Sequence, residues 1–192
     1  MFGRFPVYVD EEITSIDQKW SFVLEKIESV DPAVARFIEE APDGVLRVIG
    51  PFKAKRGNVL ILASPLPALF HFLVLNVPRV LKAVIKPDRP YVEIKEKKDL
   101  FEPPGTYILK VKYCDFFSLK QLARDMEMFL GMKVNPEFLP LSYKRMGHNL
   151  IVTLRSFNDE TSALVRFARF CGVGEDRKHG FGDVEVFRVV DA

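Results

Sequence analysis

Four glycines fall within eleven residues near the end of the chain, Gly172, Gly174, Gly180 and Gly182, and Arg177, Lys178 and His179 stand among them. Glycine lacks the Cβ that would hold a polyanion off the main-chain N–H groups, and it accepts positive φ at tight bends. A segment of this composition predicts a grip on phosphate, with the three side chains inside it supplying charge and hydrogen bonds. It differs from the nucleotide-binding loops, in which a glycine turn joins a strand directly to a helix. Here no strand leads straight into the glycines, and they run on into the strand-like Asp183-Val184-Glu185-Val186-Phe187. The expected ligand is therefore a polyanion backbone rather than ATP or NAD.

Other cations are spaced to help. Lys53, Lys55 and Arg56 cluster in the connection from Pro51 to Gly57, and Lys144 and Arg145 precede a strand in a second loop. Arg166 and Arg169 are three apart, which places them on one side of the helix that enters the glycine segment. Several such groups acting together would give a salt-dependent affinity for a nucleic-acid backbone. Among the aromatic residues, Phe129, Phe167, Phe170 and Phe187 fall on expected inward faces. Phe181, with a glycine on each side, is expected to anchor its loop and is the phenylalanine best placed to touch a base. His71, His148 and His179 share no metal-ligand spacing with one another or with Cys114 and Cys171, so neither a metal nor a cofactor is implied.

The chain of 192 residues, 48% hydrophobic and 28% charged, has the composition of a folded protein of one domain or two small ones. The net charge of +2 conceals an asymmetry: residues 1–50 carry five basic and ten acidic side chains, residues 51–100 ten basic and four acidic. A basic middle suits a nucleic-acid partner. The uncharged run from Val59 to Val77 has the length of a membrane span, but Pro65 and Pro67 divide it into a strand and a buried helix capped by Ser64. With two isolated cysteines and no secretory pattern, the expected setting is cytoplasmic, with reduced thiols and no membrane association.

These groups must be held by elements that the pattern predicts in order. Arg4 to Val9 alternates as a strand, a helix comes next over 15–30, and Asp31 caps a second helix over 32–40 with Pro32 at its first position. Strands over 45–49 and 58–63 flank the basic connection, the apolar helix runs from Pro65 to about Asn76, and a strand over 91–94 closes this half. Glu102-Pro103-Pro104-Gly105 reads as a linker. A strand over 107–113 then precedes a helix over 118–130, with a Ser118/Gln121 capping box and Gly131 at its end. Strands over 132–138 and 149–155, a helix over 158–171 and the final strand complete the chain. The prediction is an α+β protein of two tandem ferredoxin-like halves, residues 1–101 and 106–192, antiparallel sheets with helices on one face, the second half carrying the C-terminal glycine-rich loop.

Two such halves, together with the run from Gly172 to Val186, resemble the RAMP superfamily of CRISPR-associated proteins, in particular the branch that processes CRISPR repeat RNA. The resemblance implies binding of CRISPR repeat RNA by residues of the glycine-rich loop, with CRISPR-associated subunits or a second copy of the chain as protein partners. It also implies a metal-independent endoribonuclease reaction: a ribose 2′-hydroxyl attacks the adjacent phosphate, a base takes its proton, and an acid protonates the leaving 5′-oxygen.

Many members of that branch place a histidine at the start of the first long helix. This stretch reads Thr14-Ser15-Ile16-Asp17-Gln18-Lys19-Trp20, and no histidine appears before His71. Lys19 and Tyr8 are the local substitutes, suited to stabilising charge rather than moving protons. The expectation is an RNA-binding paralogue with weak or absent nuclease activity; an active nuclease and a structural subunit of a guide-RNA effector complex are the alternatives.

Overall fold

The computed structural model describes residues 1–55, 57–85, 91–114 and 116–189. The chain forms two compact units: Met1–Ile94 with Lys178–Gly180, and Lys95–Arg177 with the segment that begins at Phe181. The division falls at residues 94 and 95, not at Glu102-Pro103-Pro104-Gly105. That stretch is packed into the second unit, where Glu102 pairs with Arg166 at 2.5 Å and the Tyr107 hydroxyl donates to the Pro103 carbonyl. Proline and glycine mark a turn there, and the turn lies inside a domain.

In the first unit, β1 (Phe2–Val9) lies between β3 (Asn58–Ser64) and the short β4 (Lys82–Ala83) and β5 (Glu93–Lys95), and β2 (Arg47–Lys53) pairs with β3 on its far side. The order β2-β3-β1-β4 is that of a ferredoxin-like sheet. Helix α1 (Ile16–Glu28) starts at Ser15, whose side chain accepts from the Gln18 N–H, and α2 (Pro32–Glu40) starts at Asp31, which accepts from Ala33 and Val34. The buried stripe of α1 is Lys19, Val23 and Ile27, a four-residue spacing that places a lysine in an otherwise apolar seam. Helix α3 (Pro67–Val80) begins later than expected, with Pro67 rather than Pro65 in its first turn, and continues through Pro78. Ser64 still serves the start: its hydroxyl accepts from the Leu66 N–H and donates to the Val45 carbonyl.

The second unit repeats the plan. β6 (Thr106–Lys112) is flanked by β8 (Asn149–Ser156) and β9 (Asp183–Val189), with β7 (Phe138–Met146) outside β8, and α4 (Leu119–Leu130) and α5 (Asp159–Cys171) on one face. Alternation sets the core: Tyr107, Leu109 and Val111 are buried beside Leu150, Val152 and Leu154. Ser118 caps α4, but the Gln121 side chain does not serve as the second arm of a capping box; it bonds the backbone of Gly174, donating to its carbonyl and accepting from its N–H. Strand β7 occupies 138–146 and not the expected 132–138, with a register shift at Pro140 that lets a residue without an N–H sit at the sheet edge.

Among the described residues, these are two antiparallel ferredoxin-like sheets with five α-helices.

Candidate nucleic-acid interface

The glycine segment is more tightly built than an open cradle. The N–H of Gly172 donates to Ala168 at 2.8 Å, that of Gly182 to Lys112 at 2.8 Å, and that of Val173 to Gly182 at 3.1 Å. With the Gly174 N–H directed at Gln121, three of the four glycines spend their donors on the fold. Gly182 shows why glycine is required: at φ +63 a Cβ would lie 1.7 Å from the Val173 carbonyl oxygen. Close backbone approach also applies at Gly174, where an added Cβ would lie 2.9 Å from the Cys114 sulfur.

Arg177 also turns inward. It is 5% exposed, and its guanidinium lies 2.5 Å from the Asp125 carboxylate and 3.0 Å from the Cys171 sulfur. A buried charge needs such a partner, so this cation is committed to the second unit's core and not to solvent. The other two members of the basic triplet, Lys178 and His179, belong to the first unit. The Lys178 N–H donates to the Asp43 carboxylate at 2.8 Å, its ammonium lies 5.9 Å from the centre of the Trp20 ring, and the His179 ring meets Trp20 edge-on at 5.9 Å. Gly180 packs so closely that an added Cβ would be 2.8 Å from the Val48 carbonyl oxygen.

Lys19 holds this segment in place. The residue is 3% exposed, and its ammonium donates to the Gly50 carbonyl at 2.8 Å and to the His179 carbonyl at 2.5 Å. Burial, helped by the nearby Arg47 charge, lowers its pKa to about 8. Its expected role as a catalytic cation meets this geometry: the ammonium faces backbone carbonyls, and its spacing with Val23 and Ile27 is the sign of burial. Tyr8, the other substitute, stands on β1 opposite Val59 and Lys82 and is 38% exposed.

The remaining sequence-predicted cations divide by environment. Lys53 and Lys55 are exposed, and beside Lys53 the exposed Phe52 ring stacks on Tyr91 at 6.5 Å and 8°. Arg56 lies outside the described residues. Lys144 and Arg145 are exposed, but on β7 rather than in a loop, and as neighbours in a strand they lie on opposite faces of the sheet. Arg166 and Arg169 face the second unit: Arg166 pairs with Glu102 and Arg169 donates to the Val184 carbonyl at 3.3 Å.

Register reveals a surface that the sequence pattern does not announce. Lys110 stands between Ile151 and Glu185, Ile108 between Thr153 and Phe187, Thr106 between Arg155 and Val189, and Lys144 opposite Ile151. These residues share the sheet face opposite the buried row. Phe187, expected in the core, is 53% exposed on it. Lys112 completes the row, 2.6 Å from Glu185, whose carboxyl this hydrogen bond holds below the usual carboxylate range. A four-stranded sheet presenting lysines, an arginine and an open phenylalanine has the components for holding single-stranded nucleic acid, cations for phosphate and a ring for a base.

Among the described residues no helix is long and apolar enough to cross a membrane, and no group of three or more His, Cys, Asp or Glu side chains could hold a metal ion.

No known family profile matches the sequence, and no curated protein matches it. Its fold is shared along nearly the whole chain by solved structures. A Thermus thermophilus Cas6 product complex matches with a TM-score of 0.73 at 13% identity over 98% of this chain and 99% of that one. A second Cas6, in a substrate mimic complex, matches at 0.68 with 16% identity over 97% and 99%. The product of a Cas6-related gene from Pyrococcus furiosus matches at 0.55 with 13% identity over 97% and 99%. At these identities the likeness shows a shared fold.

Proposed function

We propose that this chain binds CRISPR repeat RNA and that its nuclease activity is weak or absent. One observation carries the binding reading: the fold runs from end to end along Cas6 structures that are product and substrate mimic complexes. The chemistry of the second unit agrees with it. Lys110, Lys144 and Arg155 share a sheet face with the exposed Phe187 ring, which suits phosphate contacts and base stacking.

Weak catalysis rests on the first helix. Lys19 is buried against two carbonyls, and the helix's first turn has no histidine to move a proton. Competent endoribonuclease activity is the second reading, favoured by the half-buried His179 imidazole beside Trp20 with the Lys178 ammonium near the same ring. An end-labelled CRISPR repeat RNA, incubated with the chain in EDTA and resolved beside a gel-shift series, tests both. The proposal expects a salt-sensitive shifted band of intact RNA. A single cut abolished by His179→Ala would establish the second reading, and no shift at low salt would remove both.

A further inference from the structure

At one end of the second sheet, the register places three strand termini side by side. Lys112 pairs with both Asn149 and Asp183, so the residues just beyond these positions converge: Tyr113 after β6, His148 before β8 and Phe181 shortly before β9. Tyr113 is the middle ring. It stacks on His148 at 6.1 Å and 24°, and meets Phe181 at 5.9 Å and 36°. The three rings line a pocket of about 530 Å³ with Cys114, Phe116, Glu175 and Asp176.

The pocket has a cost that packing does not repay. Tyr113 has φ +51 and is 62% exposed, and Asp176 across the pocket has φ +52. A left-handed tyrosine is unfavourable, and here it leaves an aromatic ring in water instead of burying it. The backbone that imposes it is fixed nearby: the Cys114 N–H donates to the His148 carbonyl at 3.3 Å, and the Cys114 sulfur donates to the Phe116 carbonyl at 2.8 Å. Held rings, with Tyr113 and His148 exposed and Phe181 half-buried, are what a stacking site for a planar ligand requires.

The polar lining narrows the ligand. Glu175 and Asp176 are exposed carboxylates and, when ionised, accept hydrogen bonds without donating them. Guanine presents adjacent N1–H and N2–H donors, which match one carboxylate in a paired contact. Adenine and cytosine set an acceptor beside their amino group, and uracil flanks its single donor with acceptors. The same carboxylates disfavour a bare phosphate, so the pocket selects a base while cations on the adjoining sheet face hold the backbone.

We propose that Tyr113, His148 and Phe181 form a stacking pocket for one unpaired guanine of an RNA strand, read through its N1–H and N2–H edge by Glu175 or Asp176. The inference rests on the RNA-binding reading and deepens it.

Fluorescence anisotropy with the full chain and uridine heptamers carrying one central guanosine, inosine or adenosine tests the pocket. Guanosine is expected to bind roughly tenfold more tightly than inosine, which lacks the N2 amino group, and than adenosine. That preference should disappear in Glu175→Gln/Asp176→Asn, a pair of exposed changes in which asparagine accepts the left-handed backbone at 176. Phe181→Leu should weaken the guanosine heptamer about tenfold and leave the uridine heptamer nearly unchanged. Free guanosine 5′-triphosphate should compete only at concentrations far above those of the heptamer; equal potency would overturn assignment to a strand. Equal binding of guanosine and inosine heptamers, or a preference that survives the double substitution, would overturn the pocket while leaving RNA binding in place. Binding of none of the heptamers would remove the RNA-binding reading with it.

Discussion

The Lys19 ammonium is hydrogen-bonded to the carbonyls of Gly50 and His179, 2.8 and 2.5 Å away, so a residue of the first helix fixes a backbone position 160 residues further along the chain. The Lys178–Gly180 segment thereby has a defined place in the first unit, with the His179 ring against Trp20 and the Lys178 N–H on Asp43. Lys19 acts as a positioning residue, and its low pKa is the electrostatic consequence of that placement.

Replacing Lys19 with methionine should destabilise the fold by about 1–3 kcal/mol, the range for losing charge-assisted hydrogen bonds, and should raise hydrogen exchange at 178–180. The loss should depend on pH. Folding lowers the Lys19 pKa from 10.5 to about 8, so between those values the unfolded chain holds a proton that the folded chain has released. Stability from this group therefore rises with pH across that window. Urea denaturation at pH 7.5, 9 and 10 should show the difference between parent and Lys19→Met growing with pH, by about 1–3 kcal/mol in total.

Gly182→Ala should cost about 3 kcal/mol or more, because a left-handed backbone and a Cβ 1.7 Å from the Val173 carbonyl oxygen act together. Gly147→Ala is the control. Its φ of +59 is similar, but nothing lies within 4 Å of the added Cβ, so only the backbone term of about 1 kcal/mol should appear in thermal or urea denaturation.

Arg177→Met should destabilise the second unit by about 3–5 kcal/mol by stranding the Asp125 carboxylate, and Arg177→Met/Asp125→Leu should recover much of that loss. Because the Arg177 guanidinium is buried, the folded double variant should keep the parent's salt dependence of RNA binding. A reduced slope in that variant would show that Arg177 reaches phosphate.

Local signals in the sequence carry the order of both halves: alternation at Tyr107, Leu109 and Val111, the caps at Asp31 and Ser118, and Gly131 at the end of α4. Strand β7 escapes such reading because it is an exposed edge. Phe138, Leu139, Leu141 and Met146 are all open to solvent, so no alternation of buried and exposed positions writes its register into the sequence. Hydrophobicity alone points Phe187 to the core, although its register with Ile108 places it on the open face. The basic triplet is visible as a motif, but its division is not. Arg177 finds Asp125 at a separation of 52 residues and the His179 carbonyl finds Lys19 at 160, distances over which local spacing carries no information. The Tyr113, His148 and Phe181 rings likewise meet only through strand register.

On the open sheet face, Lys110→Ala and Lys144→Ala should each lower the slope of log affinity against log salt by about 0.7, the value for one phosphate contact on a single strand. Titrations between 50 and 300 mM salt, roughly the range in which counterion release dominates, measure this. Arg166→Gln should leave the slope unchanged, since its guanidinium is engaged by Glu102.

The central claim is recognition of repeat RNA without efficient cleavage. Its most direct test is the affinity of the full chain for a labelled CRISPR repeat RNA against a shuffled RNA of equal composition, read together with the integrity of the bound strand in EDTA. The account predicts tighter binding of the repeat, weakening as salt rises, with the RNA recovered intact. Equal affinity for the shuffled RNA would contradict recognition, and rapid cutting at one position would contradict the assignment of weak catalysis.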